Sequence, residues 1–189
     1  MKRTSFLILS FLFLATTFKG DRLTGWVQQT IPRPDLAVRD LQFVDTLTGF
    51  TLQSRVNPDS SFISKTTDGG NNWTVTHIAN TYLTSLFFVN KDIGYCAGGI
   101  VNSNYNGIVE KTTDGGSNWF PVSFVGSFIY LEDIMFANED TGWVSSTFPL
   151  DGGLWRTTNG GVSWQKQMSA SNRPSKIFFI NSNTGWVIG

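Results

Sequence analysis

Beyond its first two dozen residues the chain is a succession of short apolar runs. Each is cut off by a cluster of Gly, Asp, Asn, Ser or Thr, and no window sustains the 3.6-residue apolar period of a helix. Taken four at a time, the runs repeat. The first group is LAVRDLQFV, GFTLQ, SFISKTT and NWTVTHI. The second is YLTSLFFV, GYCAGG, GIVEKTT and NWFPVSF, and the third IYLEDIMFA, GWVSST, GLWRTT and SWQKQM. Lettered A to D within each group, these runs predict strands. The A–B and C–D links consist of residues that tolerate positive φ or bond to their own backbone.

Two motifs fix the register of the repeat. One reads KTTDGGNNW at 65–73, KTTDGGSNW at 111–119 and RTTNGGVSW at 156–164. The other reads FVDTLTGF at 43–50, FVNKDIGY at 88–95, FANEDTGW at 136–143 and FINSNTGW at 179–186. A period of about 46 residues signals a propeller or solenoid, and four antiparallel strands per unit describe a propeller blade. The expected fold is therefore all-β, a β-propeller of four-stranded antiparallel blades with about three and a half blades present.

The DGG motif reads first as a hairpin device. Gly69 and Gly70, Gly115 and Gly116, and Gly160 and Gly161 are expected to turn with positive φ. Asp68, Asp114 and Asn159 would accept loop N–H groups that the strand ladder leaves unpaired. Trp73, Trp119 and Trp164 would open strand D and fold over the turn as apolar caps, each burial contributing about 2–3 kcal/mol.

These residues carry a family resemblance. The pattern T-T-[DN]-G-G-x-x-W resembles the Asp-box, or bacterial neuraminidase repeat. Together with F-φ-[DN]-x-x-x-G-W it looks more specifically like the photosystem II assembly and stability factor family, over most of residues 26–189. The resemblance implies a propeller. It also raises two functions: a sialidase-like, glycan-active enzyme, and a chaperone of photosystem assembly.

The domain reading follows from the register. Residues 1–17, with Lys2 and Arg3 ahead of an apolar run from Phe6 to Ala15, read as a secretory signal peptide, which places the product outside the cytoplasm, secreted, periplasmic or at the cell surface. The run is too short for a stable membrane span. Residues 18–189 read as a partial propeller. It has a lone D strand near 24–31 around Trp26, blades over 36–79, 82–125 and 129–170, and an incomplete blade over 175–189. Three and a half blades leave a ring open, so the chain is expected to be a fragment of a longer protein, to close on another chain, or to stand as an open array. Missing C-terminal blades or self-association would be needed to complete the ring.

Charge narrows the partners. Lys+Arg and Asp+Glu both number 14, and the balance gives no electrostatic case for nucleic acid. The single cysteine, Cys96, lies in the apolar run IGYCAGG and reads as a small buried hydrophobe. The single histidine, His77, sits in strand D, so a Ser-His-Asp triad has one place to be, and a structural role is the simpler reading. No His/Cys cluster, EF-hand spacing or phosphate-binding glycine loop implies a metal or cofactor. A sialidase needs an arginine triad and a Tyr–Glu nucleophile pair. The arginines here follow no repeated pattern and Glu is scarce, so that reading would rest on residues in missing blades.

Topology divides what is left. The A–B and C–D links share one end of the blades; the variable B–C and D–A loops share the other, where binding usually resides. Arg55, Asn104, Tyr105, Phe148 and Arg173 are the candidates there. Lys65, Lys111 and Arg156, one before each TT, form a second set. They would either build a positive patch for an acidic peptide or glycan, or lay their stems over apolar surface. The reading that results is an exported, non-catalytic interaction module for a protein or glycan.

Overall fold

A computed structural model describes residues 28–56, 59–100, 106–122, 130–147, 152–169 and 173–189. The signal-peptide reading and Trp26 lie outside the described residues.

The described strands group by fours. The first sheet holds β1 (Ala37–Phe43), β2 (Gly49–Arg55), β3 (Ser60–Thr66) and β4 (Thr74–Ala79). The second holds β5 (Tyr82–Phe88), β6 (Gly94–Ile100), β7 (Asn106–Thr112) and β8 (Phe120–Val122). The third holds β9 (Asp133–Phe136), β10 (Gly142–Ser146), β11 (Gly153–Thr157) and β12 (Gln165–Ser169). A hairpin of β13 (Lys176–Asn181) and β14 (Thr184–Ile188) follows. Every pairing is antiparallel between sequence neighbours, the order of a propeller blade. The tryptophans of the DGG motif stand one residue before β4, β8 and β12 rather than inside them.

The cores lie between sheets. Phe50, Leu52 and Ile63 of the first sheet pack with Leu83, Leu86, Phe88 and Cys96 of the second. Tyr95, Ala97 and Val109 of the second pack with Leu131, Ile134, Phe136 and Trp164 of the third. Trp143 and Leu154 pack with Ile177 of the hairpin.

One contact recurs at every interface. The aromatic that opens the second strand of a sheet lies flat on the Phe that ends the first strand of the next. Phe50 stacks on Phe88 with centroids 3.5 Å apart, Tyr95 on Phe136 at 3.6 Å, and Trp143 on Phe179 at 3.6 Å. The DGG tryptophan then meets the same Phe edge-on within its own sheet: Trp119 against Phe88 at 89°, Trp164 against Phe136 at 80°.

This contact explains the glycine of the D/N-x-x-x-G turn, and it corrects one expectation. Gly49, Gly94, Gly142 and Gly185 do not adopt positive φ. They are glycines because the Phe ring of their own sheet lies on them. A Cβ at Gly94 would stand 2.5 Å from Phe88 Cε1, and one at Gly142 2.5 Å from Phe136 Cδ1. The DGG glycines do meet the expected backbone requirement, with φ of 69° at Gly115 and 86° at Gly116.

Gly94→Ala is expected to cost about 1–3 kcal/mol as overpacking against the Phe88 ring. In a Phe88→Ala background most of that cost disappears. Denaturant melts of the two single variants and the double variant measure the coupling.

Candidate functional site

The two repeated turns meet at one end of the sheets and form a closed set of hydrogen bonds. In the A–B turn an Asx side chain accepts two backbone N–H groups ahead of it. Asp45 Oδ1 takes Leu47 N–H and Thr48 N–H, and Asn90, Asn138 and Asn181 repeat the arrangement. In the DGG turn the buried Thr is the pivot. Thr66 Oγ1 accepts Gly70 N–H (2.9 Å) and donates to Asp68 Oδ1 (2.8 Å); Asp68 Oδ1 also accepts Asn72 N–H (2.9 Å). Thr112 with Asp114 and Thr157 with Asn159 do the same; Asn159 keeps the Oδ1 acceptor, but its amide nitrogen donates to Ser163 Oγ where Asp68 and Asp114 Oδ2 accept from the Asn72 and Asn118 amides. The turns are then tied to each other. Gly69, Gly115 and Gly160 N–H donate to the carbonyls of Leu47, Asp92 and Asp140.

The three cations are spent on the neighbouring sheet. Lys65 lies over the Phe50 ring (5.4 Å) and donates from Nζ to Gly115 O (2.9 Å). Lys111 lies over Tyr95 (5.1 Å) with its Nζ at Gly160 of the third sheet. Arg156 lies over Trp143 (5.6 Å) and reaches Ser182 O (3.5 Å). Register explains it: each cation pairs directly opposite the stacked aromatic and so shares its face of the sheet.

The other expected groups are placed as follows. His77 Nε2 stands 2.9 Å from Glu110 Oε2, across the first two sheets, and its ring packs by Trp119. Cys96 is fully buried and its thiol is pushed up by burial, the setting of an unreactive sulfur. Arg55 is exposed at the end of β2 and donates to Ser60 Oγ; Arg173 is exposed with φ of 41°. Asn104, Tyr105 and Phe148 lie outside the described residues. Among the described residues no three His, Cys, Asp or Glu side chains converge to hold a metal ion, and no helix is long and apolar enough to cross a membrane.

The loop end presents a cluster that the sequence reading missed. A register shift in β1 leaves Arg39 outside the pairing, and the same shift in β5 leaves out Thr84. Bulges re-aim side chains. Arg39, exposed, sits over the Tyr82 ring of the next sheet (5.0 Å), with Nε donating to Ser54 Oγ (3.2 Å). Tyr82 in turn lies 5.7 Å from Tyr130, which occupies the equivalent place one sheet further. The Tyr130 hydroxyl is buried with no hydrogen-bond partner among the described residues, and burial raises its pKa well above the ordinary phenol range. Glu132, at the position equivalent to Arg39, accepts from Thr147 Oγ1 (2.9 Å). Extending the repeat alignment back from the Phe would have shown Tyr82 and Tyr130 at matching positions, but nothing in the sequence marks the bulge.

Below this cluster runs a polar chain. Ser85 Oγ is 2.9 Å from both Asp40 Oδ2 and Asp133 Oδ1, and Lys176 Nζ is 3.3 Å from Asp133. Burial raises the Asp40 carboxyl, opposed by the Leu86 N–H and Ser85 bonds to it.

No family model matches the chain, and no curated protein matches it. Among solved structures it is similar to YCF48 from Cyanidioschyzon merolae, with a TM-score of 0.59 and 17% identity over 80% of this chain and 47% of that one. The chain thus spans about half the length of that protein. At this identity the likeness is one of fold, and the fold is a β-propeller.

The DGG turns generate a pH prediction. The Asn118 N–H and amide hold the Asp114 carboxyl at about 2, against an ordinary 3.8. A lowered pKa stabilises the fold above the ordinary value, and the gain is lost as pH falls from 3.8 through 2. Asp114→Asn, which removes the titrating group, is therefore expected to shrink the fall in melting temperature between pH 5 and pH 2. Thermal melts of the wild type and the variant across that range check it.

Proposed function

We propose that the protein is an exported, non-catalytic binding scaffold whose loop end takes a protein segment or a glycan. The observation that carries this is the Arg39–Tyr82–Tyr130 cluster. It pairs a bulge-aimed, exposed guanidinium with two tilted rings across successive sheets, at the end where the variable loops lie. Among the described residues one Nε bond and one ring face hold Arg39, which leaves the other guanidinium donors for a carboxylate or for carbonyl and hydroxyl oxygens. The rings offer the flat apolar face that a sugar or a side chain packs on. Export rests on the cationic, apolar leader at residues 1–17.

The non-catalytic reading is supported by what fills the molecule's chemistry-bearing positions. The one cysteine is buried, the one histidine faces Glu110 at a sheet interface, and the repeated carboxylates cap turns. The likeness to YCF48 supports a propeller scaffold and leaves the ligand open.

A glycan array and an acidic-peptide array, probed with the purified chain, are expected to return a binder. Arg39→Ala and Tyr82→Ala should each weaken that binder about tenfold, on the order of 1.4 kcal/mol, at a temperature where far-ultraviolet circular dichroism shows both variants folded. Binding insensitive to both changes would place the site elsewhere. Glycoside turnover that these changes abolish would make the protein an enzyme.

A further inference from the structure

One hydroxyl stands between two carboxyls. Ser85 Oγ lies 2.9 Å from Asp40 Oδ2 of the first sheet and 2.9 Å from Asp133 Oδ1 of the third, and Ile134 N–H reaches it from 3.4 Å. Ser85 is buried, so bulk water does not mediate these contacts. A hydroxyl has one hydrogen to donate and two lone pairs that accept. Ser85 can therefore donate to one carboxyl only. With both carboxyls ionised, the other contact would set an anionic oxygen against a hydroxyl lone pair, with no hydrogen between them. One further proton removes the conflict. Ser85 then donates to one carboxylate and accepts from the O–H of the other carboxyl and from Ile134 N–H, which uses every site it has.

The surroundings decide which carboxyl holds that proton. Asp133 has the Lys176 ammonium 3.3 Å from Oδ1 and Ile177 N–H 2.9 Å from Oδ2, a setting that favours the charged form. Asp40 accepts Leu41 N–H on Oδ1 and Leu86 N–H on Oδ2. Among the described residues its contacts are these amides and the Ser85 hydroxyl, with no cation. Charged and titratable groups on the strands around it are few. Arg39, its neighbour on β1, turns to Tyr82 and Ser54. On β2 there is only Arg55, exposed at the strand's end, and on β5 only Tyr82. Asp133 comes from β9, with Glu132 before it bonded to Thr147, and Lys176 from β13. Burial pushes the Asp40 carboxyl above the ordinary 3.8, against the bonds from Leu86, Ser85 and Leu41 and the charge of Lys176.

We propose that Asp40 keeps its proton in the folded protein at pH values where an exposed aspartate has ionised, and that this proton completes one hydrogen-bond chain through the three sheets and the hairpin. Asp40 Oδ2–H donates to Ser85 Oγ, and Oδ2 keeps a lone pair for Leu86 N–H. Ser85 donates to Asp133 Oδ1, and Lys176 donates to the same oxygen from the hairpin. The chain is a pH-sensitive clasp on the joints between inner strands. Losing the proton puts a second negative charge beside Ser85 and leaves one of its two carboxyl contacts without a hydrogen. The folded state then binds a proton that the unfolded state has released. Its contribution is full below the ordinary 3.8 and is lost as pH rises from there through the folded value. Within that window this group lowers the folding constant by up to about tenfold per pH unit.

Carbon-13 NMR of the side-chain carboxyls, assigned through the backbone of the purified chain and followed from about pH 3 to pH 8, reads the proton directly. The Asp40 carbon is expected to titrate above 3.8. Asp133→Asn removes the charge on the far side of Ser85 and should lower the Asp40 midpoint. Lys176→Gln leaves that charge uncompensated and should raise it. The Lys176 side chain is 60% exposed, so this second variant decides the matter if Asp133→Asn, which also weakens the hold on Ile177 N–H, does not fold. An Asp40 midpoint at or below 3.8 overturns the proposal, as does a proton found on Asp133 instead. A raised midpoint that neither variant moves overturns it too, because burial alone accounts for that. Urea melts of the wild type and Asp40→Asn supply the stability readout. Whatever the variant costs by weakening the Leu86 bond is the same at every pH, so the difference between the two should shift in favour of the variant as pH rises through the Asp40 midpoint. Parallel profiles would show that the proton holds no joint.

Discussion

A single phenyl ring organises each joint of this molecule. The Phe that ends an inner strand is pressed flat against the aromatic of the preceding sheet, covers the glycine of its own A–B turn, and takes its own DGG tryptophan edge-on. Three separated positions of the repeat are thereby one contact in space. Near-eclipsed stacking, at 3.5 Å and 7° for Phe50 and Phe88, is not the arrangement that ring quadrupoles prefer. Burial and dispersion between two fully covered rings hold it, and Lys65, over the Phe50 ring, adds the cation–π attraction that a π face offers.

The ring also brings the inner strands close enough to solve a second problem. Each inner strand is an edge, with N–H groups that no ladder pairs. The preceding sheet supplies acceptors for them. Asp40 takes Leu86 N–H, Gln42 takes Phe88 N–H, and Asp133 takes Ile177 N–H. Gln42 also donates back to Phe88 O, so the side chain stands in for a stretch of partner backbone. Burying Asp40 to do this raises its pKa, which costs stability as pH rises above the ordinary carboxylate range, opposite in sign to the capping carboxylate of Asp114.

Much of this was legible in the residues. The strands, their order in fours and the DGG turn chemistry follow from identities that recur at one period, because a repeated contact demands a repeated side chain. The turn glycine was legible too, although for the wrong reason: sequence shows that Gly94 must be glycine, while only the structure shows that Phe88, and not φ, requires it. The edge-strand acceptors were invisible. Asp40, Ser85 and Asp133 do related work with different groups, and Gln42 has Phe87 and Met135 as counterparts, so no pattern announces them. The bulge at Arg39 left no signal either, since a register shift is a property of pairing and not of composition.

That contrast bears on where function sits in a repeat protein. A residue that recurs in every unit is explained first by a contact that recurs in every unit. Lys65, Lys111 and Arg156 illustrate it, each held over the aromatic opposite it and extended to the next sheet. A ligand, by contrast, breaks the symmetry of the scaffold that holds it, so residues that meet one should differ between equivalent positions. The Arg39 position reads Arg, Thr, Glu and Ser in successive units, as Arg39, Thr84, Glu132 and Ser175. Of these, Thr84 spends its hydroxyl on Ala97 O and Leu131 O, and Ser175 its own on Ile188 O. Arg39 alone of the four is both exposed and left with unspent donors among the described residues, beside two rings that lie on the same rim. A cation and a carboxylate, Arg39 and Glu132, thus stand at equivalent positions two sheets apart, and the scaffold's repeat is broken there.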